Sequence, residues 1–176
     1  MLVSSCSEPQ SRERINIALL LCDDLFPEIV VEHGEHAKIF EDFMRRSLTF
    51  AQCTASDHFN HDLELTMDVY DAQKMEYPSE EQIDGYDAFM CTGSASSAYD
   101  QVEWIQTLIL FIAHLAKNHP KVKIFGICFG HQIISLALGG TCVIMNEGRW
   151  EIGPTKLCLT DVGEEIFGVK DNGQSR

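Results

Sequence analysis

The chain has 176 residues, of which 45% are hydrophobic, and a formal net charge of −14 from 27 acidic and 13 basic residues. This excess of negative charge repels phosphate backbones and anionic lipid headgroups, so we expect neither nucleic acid nor a membrane as a partner. The seven cysteines include no C-x-x-C pair and mostly lie in apolar runs, which indicates reduced thiols in a cytoplasmic protein.

The predicted elements alternate between strands and helices. After a polar, flexible tail at residues 1–14, the apolar run at 15–22 predicts a strand that is buried on both faces. Further strands are predicted at 63–70, 86–92 and 122–128, with helices at 27–50 (interrupted near Gly34), from a cap at Asp100 to Pro120, and at 130–138. Two more strands are predicted at 141–145 and 151–160, and residues 169–176 form a polar tail. This order predicts a single α/β domain over residues 15–168, with a mostly parallel sheet between two layers of helices.

The most informative stretch is Lys123-Ile-Phe-Gly-Ile-Cys128-Phe-Gly-His-Gln132, where a predicted strand runs into a helix. Gly126 and Gly130 flank Cys128 at positions −2 and +2, the spacing of a nucleophile elbow, in which larger side chains would strike their neighbours. The turn presents the cysteine at its tip, where helix N–H groups and the helix dipole favour the thiolate. This pattern predicts a nucleophile that attacks an acyl carbon. The alternative is an inert cysteine of the core.

Attack on an amide also requires donors for the developing oxyanion. At an elbow, one donor is the backbone N–H of the residue after the nucleophile, here Phe129. A second donor is expected from the loop at 92–97, which follows the third strand and contains Gly93. The same small residues could instead form a simple turn before a helix.

A family resemblance rests on several motifs, which are Cys91-Thr-Gly93-Ser94, Tyr99-Asp100, the stretch from Gly126 to Gln132, Gly139-Gly140 and Gly148-Arg-Trp-Glu-Ile-Gly153. In these motifs the chain resembles the class I (triad) glutamine amidotransferases, particularly stand-alone members related to the glutaminase domain of GMP synthase and the gamma-glutamyl peptidases. The resemblance implies a flavodoxin-like α/β/α domain that cleaves a gamma-glutamyl amide through a cysteine thioester, without a cofactor or a metal.

The resemblance also implies roles for individual residues. Cys128 would be the nucleophile, and the N–H groups of Gly93 and Phe129 would form the oxyanion hole. Gln132 would hold the small-molecule substrate, which is glutamine or a gamma-glutamyl compound.

One part of the family pattern is missing from this sequence. The family uses a histidine and a glutamate on a later His-Pro-Glu segment, in which the imidazole is the base for the cysteine. No histidine follows His131, whose position in the elbow helix directs its side chain away from Cys128. We therefore expect a C-terminally truncated domain that retains the nucleophile, lacks its base and exposes a sheet edge.

Other polar clusters carry weaker signals. The pairs His33/His36 and His58/His61 have spacings that could hold a metal, but without a clear third ligand we interpret them as solvated surface. Asp23-Asp24, at the end of the first strand, is interpreted as a helix cap, although it could also line the crevice at that strand end.

Two other functions are compatible with the sequence. One is a non-catalytic amidotransferase-like module that binds a partner through its exposed sheet edge. The other is a DJ-1/PfpI-type cysteine protein, in which an acidic residue from the end of the first strand, where Asp23 and Asp24 lie, hydrogen-bonds to the elbow cysteine. The choice of gamma-glutamyl substrate, the ammonia acceptor and the oligomeric state stay open.

Overall fold

A computed structural model describes residues 14–54, 63–144 and 158–168. The elements in chain order are β1 (Arg14–Leu21), α1 (Pro27–His33), α2 (His36–Thr54), β2 (Glu64–Asp71), α3 (Glu80–Ile83), β3 (Ala88–Cys91), α4 (Glu103–Asn118), β4 (Lys123–Gly126), α5 (Phe129–Ala137) and α6 (Asp161–Phe167). In the ranges that the structure describes, no helix is both long and apolar enough to cross a lipid bilayer.

The four described strands form one parallel sheet in the order β2-β1-β3-β4. The register pairs Ile17 with Met67 and with Ala88, and Cys91 with Gly126. Strand β1 is central because its apolar run offers buried side chains to both faces. All four strands therefore end at the same edge, and the predicted α/β fold with a parallel sheet is confirmed.

Alternation along β1 divides the core into two layers, one on each face of the sheet. Ala18 and Leu20 lie in the larger cluster, where β3 packs against α4 and α5. Ile17 and Leu19 lie in the smaller cluster, which the apolar side of α2 covers. Helices therefore cover both faces of the sheet, as the sequence pattern predicts.

Several predicted boundaries were wrong. Helix α4 begins at Glu103 with Val102 as its N-cap, whereas the Asp100 carboxylate accepts from the backbone N–H of Ser97 and closes a turn of its own. Residues 141–144 form no strand, and Met145 and residues 151–157 lie outside the described residues.

Helix α6 was not predicted. It begins where the Thr160 hydroxyl accepts from the N–H of Gly163 at 3.1 Å, an N-cap inside a predicted strand. Residues up to Cys142 belong to one compact unit, and α6 belongs to a second that starts at Val143. The domain bounds 15–168 stay a prediction.

The packing of α4 allows a matched test on a single helix. Leu108 is 0% exposed and Leu110 is 70% exposed. We expect Leu108→Ala to lower the free energy of unfolding by about 2–5 kcal/mol, because it leaves a cavity in the core. Leu110→Ala is expected to change it by less than about 0.5 kcal/mol. Urea denaturation monitored by circular dichroism measures both, and equal losses would contradict the packing described here.

Candidate active site

Cys128 lies in a sharp turn between β4 and α5. Its backbone has φ 52° and ψ −105°, a left-handed conformation that is unusual for a residue with a side chain. Such a conformation costs about 1–3 kcal/mol and persists only where the surroundings enforce it. The side chain of Cys128 is exposed. The local fold thus presents the thiol to solvent at the carboxyl edge of the sheet.

Two close backbone approaches enforce this turn. A Cβ atom at Gly126 would overlap the backbone of Gly130 and His131. A Cβ atom at Gly130 would lie 2.5 Å from the carbonyl oxygen of Cys91 and 2.7 Å from its Cβ. Side chains at these two positions would therefore push α5 away from β3 and open the turn.

Hydrogen bonds fix the turn from both sides. The N–H of Ile127 donates to the carbonyl oxygen of Cys91 at 3.0 Å, which extends the contact of β4 with β3 beyond the strand end. The N–H of Gln132 donates to the carbonyl oxygen of Cys128 at 3.2 Å, which makes Cys128 the first acceptor of α5. Gln132 itself is half-buried one turn along this helix.

The loop after β3 lies next to the turn. A Cβ atom at Gly93 would lie 3.7 Å from the Cβ of Cys128 and 3.8 Å from the carbonyl oxygen of Ile127. The buried Thr92 anchors this loop, because its hydroxyl accepts from the N–H of Cys22 at 2.9 Å. Gly93 and Cys128, distant in sequence, are therefore neighbours at one edge of the sheet.

Asp23 holds the same loop from the end of β1. One oxygen of its carboxylate accepts from the N–H of Ala95 at 2.6 Å and from the hydroxyl of Ser94 at 3.2 Å. The interpretation of Asp23 as a helix cap was wrong, because α1 starts from Phe26 without a side-chain cap. Sequence reasoning missed this role, although an acidic residue at one strand end facing a small-residue loop at the next was an available signal.

The residue after Cys128, Phe129, packs into the core. Phe129 is buried, and its ring centroid lies 5.5 Å from that of Trp104 on α4. This contact fixes the start of α5 and the position of the Phe129 N–H, while the side chain itself faces the core. Trp104 is therefore a packing residue.

Burial separates Cys128 from two other thiols. Burial raises the pKa of the Cys22 thiol to about 12, and it also raises the pKa of Cys91. Both thiols stay protonated and inaccessible at neutral pH. Among the described cysteines, Cys53, Cys128 and Cys158 are exposed.

The described part of the chain places no histidine beside Cys128 that could act as its base. The structure gives the Cys128 thiol no hydrogen-bond partner among these residues.

His33 is exposed beside Glu32, and His36 contacts the carbonyl oxygen of Asp23 at 3.1 Å, so this pair does not converge on a metal. His58, His61 and the motif at 148–153 lie outside the described residues.

Comparison with known proteins points to one family. The profile of the family described as "Glutamine amidotransferase class-I" matches residues 46–172. A glutamine amidotransferase-like protein of Schizosaccharomyces pombe is 32% identical over 157 residues, which cover 88% of this chain and 60% of that protein. Gamma-glutamyl peptidase 3 of Arabidopsis thaliana is 38% identical over 93 residues, or 53% of this chain and 36% of that protein. The chain thus spans 60% or less of the length of these two relatives.

The contact between Gly130 and Cys91 can be tested by adding one methyl group. We expect Gly130→Ala to lower the free energy of unfolding by about 2 kcal/mol or more, because backbone must move to admit the Cβ. Gly163→Ala is the control, since its Cβ would meet atoms only at 3.4 Å or beyond. Urea denaturation measures both variants, and a neutral Gly130→Ala would contradict the close approach.

Proposed function

Because the chain belongs to the class I glutamine amidotransferase family, we propose that it supplies the thiol nucleophile that cleaves a gamma-glutamyl amide. The substrate class is glutamine or a gamma-glutamyl peptide, in line with the names of the relatives. The observation that carries the proposal is the exposed Cys128, held at φ 52° between β4 and α5 and adjacent to the backbone of Gly93.

The proposed reaction has two steps. The Cys128 thiolate adds to the gamma-carbonyl carbon, and the carbon–nitrogen bond then breaks as the leaving nitrogen takes up a proton. Ammonia or an amine departs and leaves a thioester. Water hydrolyses the thioester to glutamate and regenerates the thiol.

Backbone donors would stabilise the tetrahedral intermediate. We assign this role to the N–H groups of Gly93 and Phe129, which follow the ends of β3 and β4. Gln132, half-buried on α5, would contact the glutamyl group. Asp23 would act as a positioning residue, because its carboxylate holds the loop that carries Gly93.

Proton transfer limits what this polypeptide can do alone. The 176 residues contain no histidine after His131, and no imidazole of the described residues is hydrogen-bonded to the Cys128 thiol. Addition of the thiolate needs no further base, but release of the amine during acylation and attack of water on the thioester both require a group that moves protons. We therefore propose that Cys128 of this polypeptide reacts with a glutamine-derived alkylating reagent, whose leaving group needs no proton, more readily than it turns over glutamine.

A non-catalytic binding module is the second candidate, and the edge of the sheet favours it. In the described sheet β4 is an outer strand, and its Phe125 is 53% exposed. An unpaired edge with an exposed aromatic side chain is suited to pairing with another chain. The DJ-1/PfpI-type alternative is less well supported, because the Asp23 carboxylate binds the loop at 94–95 rather than the thiol.

Affinity labelling tests the nucleophile. We expect a glutamine-derived chloroketone to alkylate Cys128, with loss of chloride, faster than it alkylates the exposed Cys53 and Cys158. Free glutamine should slow only the reaction at Cys128. Peptide mass spectrometry gives the rate at each cysteine, and Cys128→Ser is the matched control.

Two results would count against this assignment. Equal labelling of the three exposed cysteines, without protection by glutamine, would remove the evidence for a gamma-glutamyl site. Ammonia release from glutamine that Cys128→Ala abolishes would instead retain the nucleophile and contradict the proposed lack of turnover.

Asp23→Ala tests the positioning of the loop. We expect it to slow chloroketone labelling of Cys128 by roughly 10-fold to 100-fold, because the loop that carries the second oxyanion donor loses its anchor. Alkylation by iodoacetamide, which needs no oxyanion donor, should be unchanged. Asp24→Ala is the control, since Asp24 offers only its backbone N–H to the Asp23 carboxylate. A parallel loss with both reagents would indicate a purely structural role for Asp23.

A further inference from the structure

A cluster of histidines and carboxylates lies at the opposite, amino-terminal edge of the sheet. The Nε2 atom of His114 lies 2.9 Å from one Glu80 oxygen, and the Nε2 atom of His119 lies 3.0 Å from the other. The Nδ1 atom of His119 lies 2.7 Å from an Asp84 oxygen. We name these four residues the amino-edge cluster. The two imidazoles direct the same nitrogen type toward one carboxylate.

The end of α4 makes this convergence possible. Residues five apart on a continuous helix lie about 140° apart around its axis, so His114 and His119 would point in different directions. Helix α4 stops at Asn118, and His119 takes the non-helical values φ −123° and ψ 60°. Its ring then lies with its centroid 5.4 Å from that of His114. This arrangement does not follow a helical period, and sequence reasoning therefore missed it.

The two nitrogens of His119 have different partners. The Asp84 carboxylate, as a hydrogen-bond acceptor, fixes the proton on Nδ1 and leaves Nε2 with its lone pair directed at a Glu80 oxygen. Two lone pairs facing each other repel, so a positive charge must lie between them, carried by a proton or by a metal ion.

We propose that the amino-edge cluster binds one zinc ion through the Nε2 atoms of His114 and His119 and a carboxylate oxygen of Glu80. These three ligand atoms lie within 4.8 Å of one another. Tetrahedral zinc with bonds near 2.0 Å places its ligand atoms about 3.3 Å apart. The Glu80 side chain is 63% exposed, so it can rotate by the small amount that this geometry requires.

Asp84 completes the arrangement as an orienting group. A carboxylate hydrogen-bonded to the second nitrogen of a metal-binding histidine fixes the ring and increases its basicity. His119 is only 7% exposed, so one ligand is already held in place by packing. The formal charge of −14 further favours a divalent cation over an anion as the ligand.

The position of the site assigns the metal a structural role. The carbonyl oxygen of His119 accepts from the N–H of Val122 at 3.0 Å, immediately before β4 begins. A zinc ion here would join α3 to the end of α4 at the amino-terminal edge. Cys128 follows the opposite end of β4. The proposal is therefore independent of the chemistry at the thiol.

Zinc titration of the full chain, freed of metal with a chelator, tests the site. In competition with a chromophoric chelator at neutral pH, we expect the wild-type chain to bind one zinc ion with an affinity that depends on the amino-edge cluster. His114→Ala should weaken its binding at least about 10-fold, and Asp84→Asn by about 10-fold to 100-fold. His33→Ala, at an exposed histidine outside the cluster, should bind zinc as the wild type does. Zinc should also raise the Tm of the wild type but not that of His114→Ala.

Thiolates are the main competing ligands, and cobalt distinguishes them. Cobalt bound through nitrogen and oxygen lacks the sulfur-to-metal charge-transfer band that thiolate ligation gives. An unchanged zinc affinity in His114→Ala, or binding only through thiolates in both proteins, would overturn the proposal. If circular dichroism shows that His114→Ala does not fold, Glu80→Gln replaces it, because that side chain is exposed and its loss removes one ligand.

Discussion

The structure depends on how closely helix α5 approaches strand β3. The carbonyl group of Cys91 accepts from the N–H of Ile127, and its oxygen lies only 2.5 Å from the position that a Cβ atom at Gly130 would take. One carbonyl therefore fixes both the end of β4 and the start of α5. Because β3 and its neighbours are buried, this carbonyl group cannot move away from α5. The turn instead holds Cys128 at a positive φ. The exposed thiol follows from packing two residues away.

A parallel sheet gives the domain two edges with different chemistry. At the carboxyl edge, the ends of β1, β3 and β4 bring Asp23, Gly93 and Cys128 into one region. At the amino edge, the segments that enter the strands bring carboxylates and imidazoles together. The connections at the two edges are different parts of the chain, so either site can change while the sheet stays the same.

The predictions succeeded where the signal is local and failed where it depends on distant contacts. The apolar run of β1 and the glycines around Cys128 each encode a steric or burial requirement within a few residues, so the parallel sheet and the turn could be predicted. Asp100 looks like a helix cap in the sequence, but its carboxylate accepts from Ser97 in its own turn. The start of α6 was missed because residues 151–160 have a weak strand pattern, whereas the Thr160 hydroxyl caps a helix that begins at Asp161. The bond from Asp23 to Ala95 spans 72 residues, and no periodicity reports such a contact.

Asp23 places a negative charge at the same edge of the sheet as Cys128, and its hydrogen bonds offset much of this charge. A carboxylate at the same strand edge as a nucleophilic thiolate and a developing oxyanion would oppose both by Coulomb repulsion. Here the carboxylate accepts from the backbone N–H of Asp24, from the N–H of Ala95 and from the hydroxyl of Ser94. These donors offset much of its charge, and its geometry is used to hold the loop beside the thiol. An amide in its place would keep the shape but would accept less strongly. A negative group is therefore compatible with this edge, because one of its oxygens is occupied by the loop that it positions and the other by the N–H of Asp24.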